Sequence, residues 1–320
     1  MDVAAAAERL APYARPTPLV RALLLSRDLD CDVWVKNETV SPVASFKWRG
    51  ALNDILREPN ARGVVTSSTG NHGQGVAWAA RVTGVPAHIF LPLGANPTKR
   101  AKIALLGATI HDVGHDLDAA KDEAIAFARR EGLRVIDDGE SEGVIEGAGT
   151  IGLELARELE HVDFVFVPMG SGSLASGVAI GVKMRHPHAR VIAVQSAGSP
   201  AMVESFHARA PVERLIATNI ADGLVCRVPA RLALDSLLAH VDDALTVPDD
   251  EILAAARDMI LGAHILVEPS GAASLAAAWH HRDAIRGKTI VLIATGANVT
   301  EKTFAAVAAV PISAIPRRSR

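Results

Sequence analysis

Short apolar runs alternate with helix-length amphipathic segments along most of the chain, and this alternation restricts the fold more than any other feature. GVVTS (63–67), PAHIFLP (86–92), ATIHDV (108–113), LRVID (133–137), DFVFVPM (163–169), RVIAVQ (190–195) and KTIVLIAT (288–295) read as strands. Helices are predicted over about 72–82, 97–106, 116–130, 150–160 and 173–185, then near 249–262 and 272–281, with Pro97 suited to a first helical turn. Repeated β-then-α order implies an α/β fold whose parallel-type sheets are covered by helices. The stretch from about 45 to 140 makes a compact four-strand unit by itself, so two sheets are expected. The expected division is a small domain, 44–143, inserted in a large one made of 1–43 and 144–320.

The bulk properties exclude several classes. A hydrophobic fraction of 49% over 320 residues is that of a folded protein with a large core. A net charge of −3 lacks the basic excess of a nucleic-acid-binding surface. Only Arg317, Arg318 and Arg320 cluster, and they read as a solvated tail. Cys31 and Cys226 lie far apart in no metal-ligand spacing, which suits structural thiols in a reducing compartment. The first residues lack a basic segment followed by a long apolar run, and no stretch reaches about 18 uninterrupted apolar residues. The expectation is a cytoplasmic protein with no membrane and no nucleic-acid partner.

In open α/β sheets ligands bind beyond the carboxyl ends of the strands, so the strand-to-helix loops are the places to examine. GSGSLASG (170–177) follows a strand and precedes a helix. Its small residues let backbone N–H groups converge at a helix N-terminus, which makes either an anion cradle or a tight turn that merely needs glycine. SSTGNHGQGVA (67–77) crowds hydroxyls, an amide and an imidazole into another such loop, which suits either a carboxylate or a well-capped helix start. ATGANVT (294–300) puts the Thr295 hydroxyl at the end of the last strand. GAGTIG (147–152) matches G-x-G-x-x-G, but acidic DDGESEGVIE precedes it instead of a strand, so it reads as a turn and helix start and no nicotinamide site is expected.

The fourth feature is SPVASFKWRGALND (41–54). Ser45 reads as an N-cap, and Trp48, Ala51, Leu52 and Ile55 fall on one helical face. Lys47 then sits in the first turn, where the helix dipole disfavours a cation by roughly 0.3–1 kcal/mol. Either the amine reaches solvent or the chain uses it in its neutral form. A Schiff-base lysine, an anion cradle, a carboxylate loop and a hydroxyl for a ring nitrogen are the parts that a pyridoxal phosphate enzyme needs.

With these motifs in order, the sequence resembles the fold type II pyridoxal phosphate enzymes, in the serine/threonine dehydratase and serine racemase branch. SFKWRGA (45–51) is similar to the family's lysine motif, STGNHGQGVA (68–77) to its asparagine loop and MGSGSLASG (169–177) to its phosphate loop. EGAGT (146–150), ADG (221–223), EPSGA (268–272) and TGAN (295–298) match further landmarks. The resemblance implies a two-domain, tryptophan synthase beta-like fold with the cofactor, pyridoxal 5'-phosphate, in the cleft between domains. By it Lys47 would carry the cofactor, and Phe46 would pack its ring. Asn71 would touch the phenolic oxygen, and Gly170, Ser171, Gly172, Ser173 and Leu174 would hold the phosphate, with Gly223 alongside and Thr295 facing the ring nitrogen. Ser68, Thr69, Gly70, Asn71 and His72 would surround the substrate carboxylate.

The implied activity is elimination of the β-hydroxyl of an L-serine- or L-threonine-type amino acid, with Lys47 and Thr69 as catalytic residues. Racemisation or β-replacement within the family, and a silent phosphate-ligand-binding protein outside it, are the alternatives. Departures from the family pattern are informative. Ser171 and Ser173 interrupt a loop that is usually all glycine, and are expected to add hydroxyl contacts to the phosphate. Thr69 keeps a hydroxyl where racemases have serine. SAGSPAM (196–202) lacks the acids that hold a divalent cation in some relatives, so no metal is expected. The run 195–209 reads as surface helix or pocket lining. The sequence ends near residue 320, so isoleucine feedback through a regulatory domain is not expected, and a homodimer is.

Overall fold

The computed structural model describes residues 1–311. Arg317, Arg318 and Arg320, expected in a solvated tail, lie outside the described residues. Ten strands occur in this part of the chain: β1 (Leu19–Arg21), β2 (Asp32–Asn37), β3 (Val64–Ser67), β4 (Ala87–Leu91), β5 (Thr109–Asp112), β6 (Arg134–Val135), β7 (Phe164–Pro168), β8 (Arg190–Ser196), β9 (Asp243–Val247) and β10 (Thr289–Ala294). They form a six-stranded sheet in the order β1-β2-β10-β7-β8-β9 and a four-stranded sheet in the order β5-β4-β3-β6. Every pairing is parallel except β1 with β2 at the edge of the larger sheet.

The period-2 geometry of the strands explains the layering. In β7 and β10, Phe164, Phe166, Ile290 and Leu292 face Ala272 and Leu275 of the Pro269–His280 helix. Their neighbours Val165, Val167, Val291 and Ile293 face the opposite way, onto Ile151 and Val178 of the helices Glu142–Glu158 and Ser173–Lys183. Both faces are therefore apolar, as a covered parallel sheet requires. In the smaller sheet, Val64, Ile89 and Leu91 pack on Trp48, Leu52 and Val76, while Val65 and Phe90 pack on Ala120 and Ala124 of the Leu117–Glu131 helix. The stripe of Trp48, Ala51, Leu52 and Ile55 is buried, each large side chain contributing roughly 1.5–3 kcal/mol relative to exposure.

Three expectations need correction. First, GAGTIG is neither a turn nor a helix start: the helix runs Glu142–Glu158, and its glycines lie in mid-helix. A Cβ at Gly147 would come within 2.4 Å of Arg49 O, and one at Gly152 within 2.3 Å of Val178 O, so these glycines allow neighbouring helices to approach. Second, Ser45 caps nothing. Its backbone bridges to Gly296, its hydroxyl is buried without a partner, and Phe46 already has helical dihedrals ahead of the Lys47–Arg57 helix. Third, β1, β2 and β9 were not expected: β1 spans only three residues, and β9 is half-buried. The run 195–209 holds a helix, Ala201–Ala208, that does not line the cleft described below, although Met202 packs behind Gly172 of its wall.

Candidate active site

The carboxyl ends of β3, β7 and β10 open onto one cleft with a volume of about 660 Å³. Every site residue expected from the sequence lines it: Phe46 and Lys47, the loop Ser68 to His72, the loop Gly170 to Leu174, Gly223 and Thr295. Within each sheet parallel strands present their strand-to-helix loops at one end, and the cleft lies where those ends of the two sheets meet.

Lys47 is the first residue of its helix, and the preceding residue is tied to the large sheet by Phe46 N donating to Thr295 O at 3.0 Å. Its Nζ lies 4.9 Å from the centre of the Phe46 ring. The ammonium is paired with the Asp138 carboxylate, which offsets the unfavourable dipole at this helix end. Asp138 was missed in the sequence, where it stood inside an acidic stretch that read as a loop. The carboxylate also accepts from Ser171 Oγ at 2.8 Å and faces His72 Nδ1 at 3.6 Å. Burial opposes its ionisation, but the charges of Lys47 and His72 and the bonds from Lys47 and Ser171 hold it well below the usual carboxylate range.

Asn71 opens the Asn71–Thr83 helix. Its Nδ2 donates to Glu268 Oε1 at 2.7 Å, and its Oδ1 accepts from Asn298 Nδ2 at 2.8 Å, so the amide is fixed on both sides. Glu268, recognised in the sequence only as part of a landmark, is thus the residue behind Asn71. Burial and the nearby charge of Asp222 push its carboxyl up to about 7, against the hydrogen bonds from Asn71 and Asn298 N. His72 Nε2 sits 3.1 Å from Ile136 O, so the ring donates there, while Nδ1 is buried without a hydrogen-bond partner. Gly70 N donates to Ser68 Oγ at 3.2 Å, leaving the Thr69 side chain half-buried at the cleft wall.

The loop after β7 has the form of an anion cradle. Gly172 holds a left-handed φ of +98°, and no side-chain cap covers the start of the Ser173–Lys183 helix. A Cβ at Gly170 would meet Gly223 O at 2.6 Å, which keeps this wall close to the Asp222–Leu224 turn. Uncapped N–H groups beside two serine hydroxyls suit a phosphate. Thr295, 5% exposed, supplies a neutral hydroxyl. The residues present fit pyridoxal phosphate.

Comparison with known proteins places the chain. Residues 10–296 match the family described as pyridoxal-phosphate dependent enzyme. The chain is 34% identical over 302 residues to an L-threonine ammonia-lyase of Thermotoga maritima, covering 93% of this chain and 75% of that one. Among solved structures, the processed form of threonine deaminase isoform 2 from Solanum lycopersicum superposes with a TM-score of 0.88 at 33% identity, covering 93% of this chain and 88% of that one. Maize serine racemase gives 0.87 at 30%, covering 95% and 94%. The chain belongs to the pyridoxal phosphate-dependent enzyme family of fold type II, in the serine/threonine dehydratase and racemase branch. Its cofactor is pyridoxal 5'-phosphate.

Proposed function

We propose that this chain is an ammonia-lyase that removes the β-hydroxyl of an L-serine- or L-threonine-type amino acid, giving a 2-oxo acid and ammonia. The observation that carries the reading is the meeting of Lys47, the Ser68–His72 loop and the Gly170–Leu174 cradle in one cleft. The threonine ammonia-lyase and threonine deaminase relatives support it.

Pyridoxal phosphate supplies an electron sink for the substrate α-carbon and a carbonyl for its amine. The chain's residues do the rest. Backbone N–H groups of Gly170, Ser171, Gly172, Ser173 and Leu174 would hold the phosphate, and Asn71 and Thr295 would orient the ring. The hydroxyls and N–H groups of Ser68, Thr69 and Gly70, with His72, hold the substrate carboxylate. The Lys47 amine would take the α-proton, and the β-hydroxyl would leave with the electron pair of its C–O bond and take up a proton as water; hydrolysis of the released enamine then gives the 2-oxo acid and ammonia. The neutral Thr295 hydroxyl, unlike a carboxylate, does not enforce a proton on the ring nitrogen, which favours loss of a β-leaving group over transamination.

We propose with this the division into 44–143 and the remainder, supported by β3–β6 all falling within 64–135. A homodimer and a cytoplasmic location belong to the same reading. The buried free thiols of Cys31 and Cys226 support the location, and no helix among the described residues is long and apolar enough to cross a membrane.

The test is release of ammonia and 2-oxo acid from a panel of L-β-hydroxy amino acids, with Lys47→Ala alongside. Release by the wild-type chain and its loss in the variant is the expected result. Normal turnover by Lys47→Ala overturns the assignment.

A further inference from the structure

Asp138 engages the two hydroxyls that stand beside the backbone N–H groups of the anion cradle. It lies in the loop after β6, which abuts the loop after β7, and its carboxylate takes the Ser171 hydroxyl at 2.8 Å and faces the Ser173 hydroxyl at 3.4 Å. It also holds the ammonium of Lys47. The two serines flank Gly172 at the start of the Ser173–Lys183 helix, where the cradle is built. One carboxylate therefore engages both hydroxyls of the cradle and the lysine that would carry the cofactor.

We propose that Asp138 competes with the cofactor's phosphate for this cradle and so weakens the hold of the site on pyridoxal phosphate; the proposal rests on the reading of the cleft given above. Two anions cannot share the same two hydroxyl donors, and like charges a few ångströms apart in a partly buried site repel. A phosphate that takes the two hydroxyls thus requires the carboxylate to leave Ser171 and Ser173. His72 gives it a destination: Nδ1 is buried without a hydrogen-bond partner and lies 3.6 Å from the Asp138 carboxylate. The serines that replace glycine in this loop therefore serve two anions in turn, whereas the sequence suggested contacts to the phosphate alone.

The experiment measures binding to the full chain after removal of cofactor, using the absorbance of the lysine-linked cofactor and, separately, calorimetric titration with inorganic phosphate. Asp138→Asn is expected to bind pyridoxal phosphate about tenfold more tightly than the wild type, with a parallel gain for inorganic phosphate. Pyridoxal, which lacks the phosphate, should gain less. Asp138→Ser, a second neutral variant, should behave as Asp138→Asn does and covers the case in which one of them folds poorly by circular dichroism. Unchanged or weaker binding of both phosphate-bearing probes overturns the proposal. An equal gain for pyridoxal also overturns it, since Asp138 would then act on Lys47 alone. Failure of the wild type and both variants to bind pyridoxal phosphate at all would instead overturn the reading of the cleft.

Discussion

Gly75 lies directly against the backbone of Lys47: a methyl group there would sit 2.8 Å from the Lys47 carbonyl carbon and oxygen. The Asn71–Thr83 helix can approach the start of the lysine helix this closely only because residue 75 has no side chain. Gly75→Ala should therefore force the two helices apart at the point that positions the amine. Overpacking costs roughly 1–3 kcal/mol, and a displacement of about 1 Å at a reacting group can cost about a hundredfold in rate. Thermal unfolding and turnover measured together should both fall, with turnover falling more than stability explains. Wild-type turnover would mean that the helices can adjust without moving Lys47.

Glu268 makes stability depend on pH. Its carboxyl is pushed up to about 7 by burial and by Asp222, against 4.5 for an ordinary glutamate. A carboxyl raised in the folded state contributes fully below its unfolded value, and that contribution is lost as pH rises through the folded one. Glu268→Gln imitates the protonated form at all pH values. It should match the wild type near pH 4.5 and exceed it above pH 7 by roughly 1–3 kcal/mol. Urea unfolding at both pH values tests this, and a difference that does not change with pH would contradict it.

Arg49 fastens the lysine helix to the Glu38–Val40 turn after β2 and to the Glu142–Glu158 helix. Its guanidinium bonds both oxygens of Glu38, at 2.9 and 3.0 Å, and both oxygens of Glu154, at 2.5 and 2.9 Å. Burial opposes its charge, but Glu38 and Glu154 more than restore it. Arg49→Met would leave Glu38, which is fully buried, with Thr17 as its remaining side-chain hydrogen-bond partner. The expected loss is about 3–5 kcal/mol of unfolding free energy, and Glu38→Gln added to it should recover part of that loss. Additive losses in the double variant would show that the pair is not coupled.

The parts legible in the sequence were those encoded locally. Apolar runs marked all four strands of the smaller sheet and three of the six in the larger, and Pro97 marked the start of its helix. The loops around Asn71, Gly172 and Thr295 announced themselves by composition. The missed features depend on partners distant in sequence. Asp138 meets Lys47 91 residues away, and Glu268 meets Asn71 197 residues away, so no local pattern could join them. Ser45 failed as a cap for the same reason: Gly296 and Thr295 claim the backbone around it. GAGTIG misled because its glycines answer to helices packed from elsewhere, at Arg49 and Val178.

Thr69 distinguishes elimination alone from elimination with racemisation. It lines the same cleft as Lys47, on the loop that would hold the substrate carboxylate, and its side chain is half-buried. Where the chain also racemises, the alternative within the proposed function, the Thr69 hydroxyl would return a proton to the α-carbon, whereas the methyl group of alanine cannot. Thr69→Ala should therefore abolish any D-amino acid formed from L-serine while leaving 2-oxo acid release within about tenfold of wild type, since general acid–base groups contribute roughly 10²–10⁴-fold to the step they serve. Chiral chromatography of the reaction mixture, alongside the ammonia assay, reads both products at once. Persistence of the D-product in Thr69→Ala would exclude Thr69 as its proton donor. Equal loss of both products would make the side chain a carboxylate contact, because binding the substrate is common to the two reactions.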